Sequence, residues 1–123
     1  SALATTIVFR DGEPWLVLGA PGGWSVTSGI LQQIVNVVDF GMSPVEAVVA
    51  PRFHSEGSPV FCEQRIPRRT VQALRDRGVP LEQSLYNYHA SFSRPQTVML
   101  TGAGYEAASD PRSDGGAAMF SVA

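Results

Sequence analysis

Two short runs near the start of the chain constrain its fold more than any other feature. Thr6-Ile7-Val8-Phe9 is β-branched and aromatic, and Trp15-Leu16-Val17-Leu18 follows it across Arg10-Asp11-Gly12-Glu13-Pro14. Strand-forming runs joined through Asp-Gly predict a β-hairpin. Neither run alternates apolar with polar residues. A strand with one wet face alternates, whereas a nearly continuous apolar strand is expected where both faces are covered. The hairpin is therefore expected inside a larger layered structure, because a free one of this composition would be insoluble.

Ala20-Pro21-Gly22-Gly23 is a breaker cluster directly after the second strand. Ile30, Leu31, Ile34, Val35, Val37 and Val38 then recur at helical spacing, with Gln32, Gln33, Asn36 and Asp39 between them. This predicts an amphipathic helix over 25–40, stopped by Gly41. Ser43-Pro44-Val45-Glu46 combines an N-cap, a first-turn proline and a capping box, so a short helix over 45–50 is expected to stop at Pro51. Arg52-Phe53-His54 is expected in a loop. A strand over 60–63, a helix over 68–77, a weak strand over 79–83 and a good strand over 97–100 follow. The small, polar stretch 107–116 is expected to be a loop with defined turns at Asp110-Pro111-Arg112 and Gly115-Gly116. This order of elements gives an α+β or layered α/β fold class, read as a single domain over 1–123.

At 123 residues the chain is long enough for one domain with a hydrophobic core and too short for two. Its 44% hydrophobic and 16% charged residues suit a globular domain rather than a disordered one. A net charge of −2 excludes a generally basic nucleic-acid binder. All nine cationic residues are arginines, which can grip a carboxylate bidentately, so an acidic small molecule stays compatible. Cys62 is the one cysteine, so no internal disulfide and no cysteine metal site is expected, and the two histidines fit no metal-ligand spacing. No metal and no cofactor is expected. No apolar stretch approaches the roughly 20 residues of a membrane span. Ser1 to Thr6 has neither the basic nor the apolar region of a signal peptide. With no initiator Met, the chain is read as a piece of something longer.

Strand–Pro21-Gly22-Gly23–helix is the most chemically suggestive element. It matches neither a Walker loop nor G-x-G-x-x-G. Two glycines at a helix N-terminus can turn two N–H groups toward one point, where the helix dipole favours a phosphate or the oxyanion of an acyl-transfer intermediate. The simpler reading is a tight strand-to-helix turn, and the motif alone leaves both open. Arg52 and His54 are candidates for anion binding and general-base work, against a simpler reading in which Arg52 caps the preceding helix and His54 packs in a loop. His89, in Tyr86-Asn87-Tyr88-His89, reads as a surface residue, and Cys62, in Val60-Phe61-Cys62, as a small buried hydrophobe. Asp110 and Arg112 read as a self-pairing loop that ties down the C-terminal end. No G-x-S-x-G nucleophile elbow occurs.

Taken in order, these segments resemble the gamma-glutamyltransferase family. The resemblance rests on Thr6-Ile7-Val8, Asp11-Gly12, Trp15 to Gly19, Pro21-Gly22-Gly23, Leu31 to Asn36 and Asp39-Phe40-Gly41-Met42. It continues through Glu46-Ala47, Ala50-Pro51-Arg52-Phe53-His54, Gln96, Ala108 to Arg112 and Asp114 to Ala117. It spans almost the whole chain and is poorest over 56–64 and 85–92. It implies the C-terminal part of the small subunit of an N-terminal-nucleophile hydrolase, with an αββα layered sandwich. It implies a self-cleaving precursor whose new N-terminal Thr attacks gamma-glutamyl amides such as glutathione, passing the acyl group to water, an amino acid or a peptide. That Thr lies upstream in the family, and Ser1, Thr5 and Thr6 do not match its motif, so the isolated chain is expected to be inactive. Gly22 and Gly23 match the family's oxyanion-hole glycines. Ser1 matches the first of two serines that hold the substrate's α-carboxylate, Ala2 replaces the second, and Ala20 stands where Ser or Thr is common. The partners implied are a gamma-glutamyl small molecule and the remainder of the precursor, and a periplasmic or secreted parent fits the family. A related amide acylase of the β-lactam side-chain type, and an inactive self-associating fragment, are the alternatives.

Overall fold

The computed structural model describes residues 3–119. Strands β1 (Thr6–Arg10) and β2 (Glu13–Gly19) form the expected hairpin. Asp11 and Gly12 both take positive φ, at 53° and 86°, as a two-residue turn that follows strand twist requires. The Arg10 guanidinium lies 3.4 Å from the centre of the Trp15 ring across it. A 3-10 turn (Gly23–Ser25) leads into helix α1 (Val26–Val38), shorter at both ends than the pattern predicts. Helix α2 (Pro44–Val49) carries the full capping box: Ser43 Oγ accepts from the Glu46 amide while Glu46 accepts from the Ser43 amide.

Strand β3 (Phe53–His54) pairs antiparallel with β4 (Val60–Cys62). Helix α3 (Arg68–Asp76) then crosses to β5 (Leu81–Gln83), which pairs parallel with β4. Strands β6 (Gln96–Thr101) and β7 (Gly104–Ser109) complete a four-stranded antiparallel sheet in the order β1-β2-β6-β7.

Two expectations need correction. Arg52-Phe53-His54 is not wholly a loop, because β4 recruits Phe53 and His54 as an edge strand. The stretch from Ala107 is not loop throughout, because Ala107 to Ser109 belong to β7. Small residues there give no strand signal; the ladder to β6, from Gln96 beside Ser109 to Thr101 beside Gly104, imposes the conformation.

The inner face of the large sheet carries the helices. Leu16 and Leu18 of β2 pack with Val26, Ile30 and Val37 of α1 and Ala47 of α2. Gln33 is fully buried in the same stripe, and its Nε2 donates to the Ala47 carbonyl at 2.6 Å. The other half of the apolar pattern on α1 points elsewhere, and Leu31 stays 60% exposed. A smaller core under the second sheet joins Cys62, Val71 and Leu81. The outer face of the large sheet is not covered by the described residues. Ile7, Val17 and Val98 are neighbours in register there and are 39–50% exposed. That bare row explains why the hairpin does not alternate: its second apolar face awaits a layer other than these helices.

Between the two sheets sits a buried ionic cluster. Arg52, Glu63, Asp110 and Arg112 are each at most 7% exposed. Arg112 donates to both Glu63 oxygens, at 2.6 and 2.5 Å, and to Asp110 at 3.2 Å. Arg52 Nη1 donates to Asp110 at 2.5 Å and to the Ser93 carbonyl at 2.5 Å, while Nη2 donates to the Val48 carbonyl at 3.0 Å. Arg52 thus caps the end of α2, as the simpler reading has it, and also anchors the cluster. The Asp110–Arg112 pair closes on itself as expected, and reaches further, to Glu63.

Burial pushes the Glu63 carboxyl up, but hydrogen bonds from Arg112 and from the His89 and Arg52 amides outweigh it and hold it below its ordinary value. A carboxylate depressed in the fold contributes its full stabilisation above its unfolded value and loses it as pH falls through the folded one. Glu63→Gln leaves Arg112 buried beside a neutral partner, so we expect it to destabilise the protein by about 3–5 kcal/mol at neutral pH. Denaturant titrations at several pH values check this, and the gap to wild type should narrow as pH falls below the ordinary 4.5.

Candidate functional site

The site is built on the turn that ends β2. The Ala20 amide donates to the Leu3 carbonyl at 2.9 Å, and the Pro21 carbonyl accepts from the Arg94 amide at 3.0 Å. Ser25 Oγ lies 2.9 Å from the Gly22 carbonyl and 3.2 Å from that of Ser91. The segment 91–94 therefore backs the turn along its length.

That backing separates the two glycines physically. Gly22 has φ 142°, and a Cβ placed on it would lie 2.5 Å from the Ser93 Cα, so the fold itself demands glycine here. Gly23 has φ 58°, and a Cβ there meets no atom within 4 Å. Packing does not exclude a side chain at Gly23; only the left-handed backbone favours glycine. Among the described residues, neither the Gly22 nor the Gly23 amide has a protein acceptor. Two unengaged N–H groups thus stand side by side at the start of the 3-10 turn that leads into α1.

Gly22 and Gly23 line a groove of about 290 Å³ with Ser25, His54, Phe61 and Phe92. His54 reaches it because β3 pairs with β4. Its Nδ1 lies 2.8 Å from Ser28 Oγ on α1, and its Nε2 lies 3.7 Å from Glu56. Of the sequence candidates, the fold brings Gly22, Gly23 and His54 together. Arg52, Asp110 and Arg112 lie instead in the ionic cluster. His89 is partly buried rather than a plain surface residue: its Nδ1 lies 2.6 Å from Ser91 Oγ, and its ring meets Tyr86 and Phe92 edge-on. Cys62 is fully buried, and burial pushes its thiol up, away from the reactive thiolate. Ser1 lies outside the described residues. Sequence reasoning passes over Glu63, Ser28 and Ser93. No local pattern marks them, since their partners lie 26 to 49 residues away or, for Ser93, on the turn itself.

The family model for gamma-glutamyltranspeptidase matches residues 1–120. The chain belongs to the gamma-glutamyltranspeptidase family. Over 117 residues it is 36% identical to the glutathione hydrolase proenzyme of Escherichia coli K12, covering 92% of this chain and 19% of that protein. The gamma-glutamyltranspeptidase from Pseudomonas nitroreducens, solved with L-DON, superposes with a TM-score of 0.79 at 31% identity, over 95% of this chain and 61% of that one. Cephalosporin acylase from Bacillus halodurans superposes with a TM-score of 0.86 at 28% identity, over 95% and 22% respectively. The chain thus spans about a fifth of the length of the curated gamma-glutamyltranspeptidase relative it matches in E. coli. An α+β domain of the N-terminal-nucleophile type is the fold these likenesses share with it, and the relatives are enzymes.

The turn geometry sets an order of tolerance for this family member. Gly22→Ala meets both strain and collision and should destabilise by about 2–5 kcal/mol. Gly23→Ala meets strain alone and should destabilise by about 1–2 kcal/mol. Thermal denaturation of the two variants side by side checks the ranking.

Proposed function

We propose that this chain is the part of a gamma-glutamyltransferase or hydrolase that supplies its oxyanion hole, through the amides of Gly22 and Gly23. The observation that carries this reading is the pair of unengaged N–H groups on a turn fixed from behind by Ser93. Attack on an amide carbonyl moves negative charge onto its oxygen, and two preoriented donors stabilise that charge without rearranging. The acyl-enzyme that forms is then released to water, an amino acid or a peptide. The nucleophile in this reading is the threonine at the new N-terminus of the cleaved precursor, on a segment other than this chain, so the isolated chain is inactive. No cofactor enters the reaction.

The remainder of the precursor is the partner. The bare row Ile7, Val17 and Val98 supports this, because an apolar sheet face of that kind is stable only when another layer covers it. Without that layer, the isolated chain should self-associate through the same face. Val17→Glu should lower the apparent mass of the isolated chain in sedimentation, and a wild-type chain that stays strictly monomeric would count against the reading.

Replacing the Gly23 amide by an ester through chemical ligation removes one N–H and leaves the backbone in place. Release of the chromophore from a gamma-glutamyl anilide by the processed full-length protein should then fall about 10²–10³-fold, with circular dichroism unchanged. Unaltered turnover would sink the assignment. A second reading, an acylase acting on another amide, is favoured by the likeness to cephalosporin acylase and by Ala2 standing where the family's second carboxylate-binding serine is found. Faster cleavage of a glutaryl than of a gamma-glutamyl amide would select it.

A further inference from the structure

Gly29 sits inside α1, on its buried face. Its backbone is ordinary right-handed helix, so no turn or positive φ calls for glycine there. A glycine inside a helix is less stable than an alanine, so its presence needs a reason. The neighbouring segment supplies one. A Cβ on Gly29 would collide with Ser93 Oγ and lie 3.0 Å from Ser93 Cβ. The position is bare because the Ser93 side chain fills it.

Ser93 lowers stability as well. It is fully buried, and its Oγ has no hydrogen-bond partner among the described residues. A buried hydroxyl left unbonded is destabilising, and an alanine would avoid the loss. The same residue bounds the glycine turn, because a Cβ on Gly22 would lie 2.9 Å from the Ser93 Cβ. Ser93 is therefore wedged between Gly22 on one side and Gly29 on the other, with its carbonyl held by Arg52. Two locally unfavourable residues thus meet at a contact that bridges the turn and the helix following it. Local rules broken together beside a reacting group point to a contact kept for geometry rather than for stability.

We infer that Ser93 is a positioning residue for acyl transfer, and that its hydroxyl, lodged against Gly29, sets the direction of the Gly22 and Gly23 amides. Being fully buried, Ser93 meets no substrate and acts through Gly22. The oxyanion exists only in the transition state and the intermediate that follows it. A small turn of the amides therefore weakens the transition state while substrate binding is kept. This rests on the oxyanion-hole reading above and names the residue that aims the hole.

The test uses the processed full-length protein with a gamma-glutamyl anilide as donor, and reads kcat, KM and Tm together. Ser93→Ala removes the unbonded hydroxyl. Its Tm should hold or rise, while kcat falls about tenfold with KM unchanged. A residue that only held the fold together would not slow turnover while leaving Tm intact. Gly29→Ala places a methyl where the hydroxyl lies and should also lower kcat about tenfold. Combining the two puts the methyl into the space the hydroxyl leaves, so the double variant should regain most of the lost kcat. Val71→Ala, in the smaller core, should show the opposite pattern, a lower Tm with kcat unchanged. Wild-type kcat in Ser93→Ala, or a double variant as slow as the two losses multiplied, overturns the inference and leaves the oxyanion-hole reading intact. If Gly29→Ala does not fold, Ser93→Ala decides alone. A Gly23 ester that turns over at the wild-type rate overturns both.

Discussion

Four charges with almost no water around them hold this domain together. Arg52 follows α2, Glu63 follows β4, and Asp110 and Arg112 follow β7, so the cluster joins both sheets and the helical layer at one point. Taking such groups out of water is expensive, and only dense hydrogen bonding offsets it. Here it is dense. Arg112 makes a two-pronged contact with Glu63, and the carbonyls of Val48, Ala50 and Ser93 take up further guanidinium protons. Arginine suits this because its planar fork meets carboxylates in two places and keeps its charge when buried.

The glycine turn that ends β2 is tied to this cluster. Arg52 holds the Ser93 carbonyl, Ser93 abuts Gly22, and the neighbouring Arg94 amide holds Pro21. A chain of short contacts thus runs from the ionic cluster to the glycine amides. Preorganisation of this kind is what separates a useful pair of donors from two loose N–H groups that water would satisfy. The glycine at position 22 is there because Ser93 leaves no room, and the glycine at 23 because the backbone is left-handed.

Much of this was legible in the residues. The hairpin, its Asp-Gly turn, the capping box of α2 and the strand-to-helix glycine turn each announce themselves within a few positions, because local conformation decides them. The resemblance of the ordered motifs carried the family. What was not legible depends on distance along the chain. Glu63 looks like an ordinary strand-end carboxylate until Arg112 arrives from 49 residues away. Strand β7 is made of glycine, alanine and serine for much of its length, and only its partner makes it a strand. His54 looked like a loop residue because two positions are too few to show a period.

The ionic cluster also makes the fold sensitive to completeness. It is assembled from two separated stretches, each carrying both signs: Arg52 and Glu63 from the middle of the chain, Asp110 and Arg112 from beyond β7. A chain interrupted after β7 would hold an arginine and a glutamate in a nonpolar interior with half their counter-charges missing. Such a chain would bury charges without their partners and would be open to proteolysis. The stretch most easily dismissed as a polar loop thus completes the charge balance of the interior.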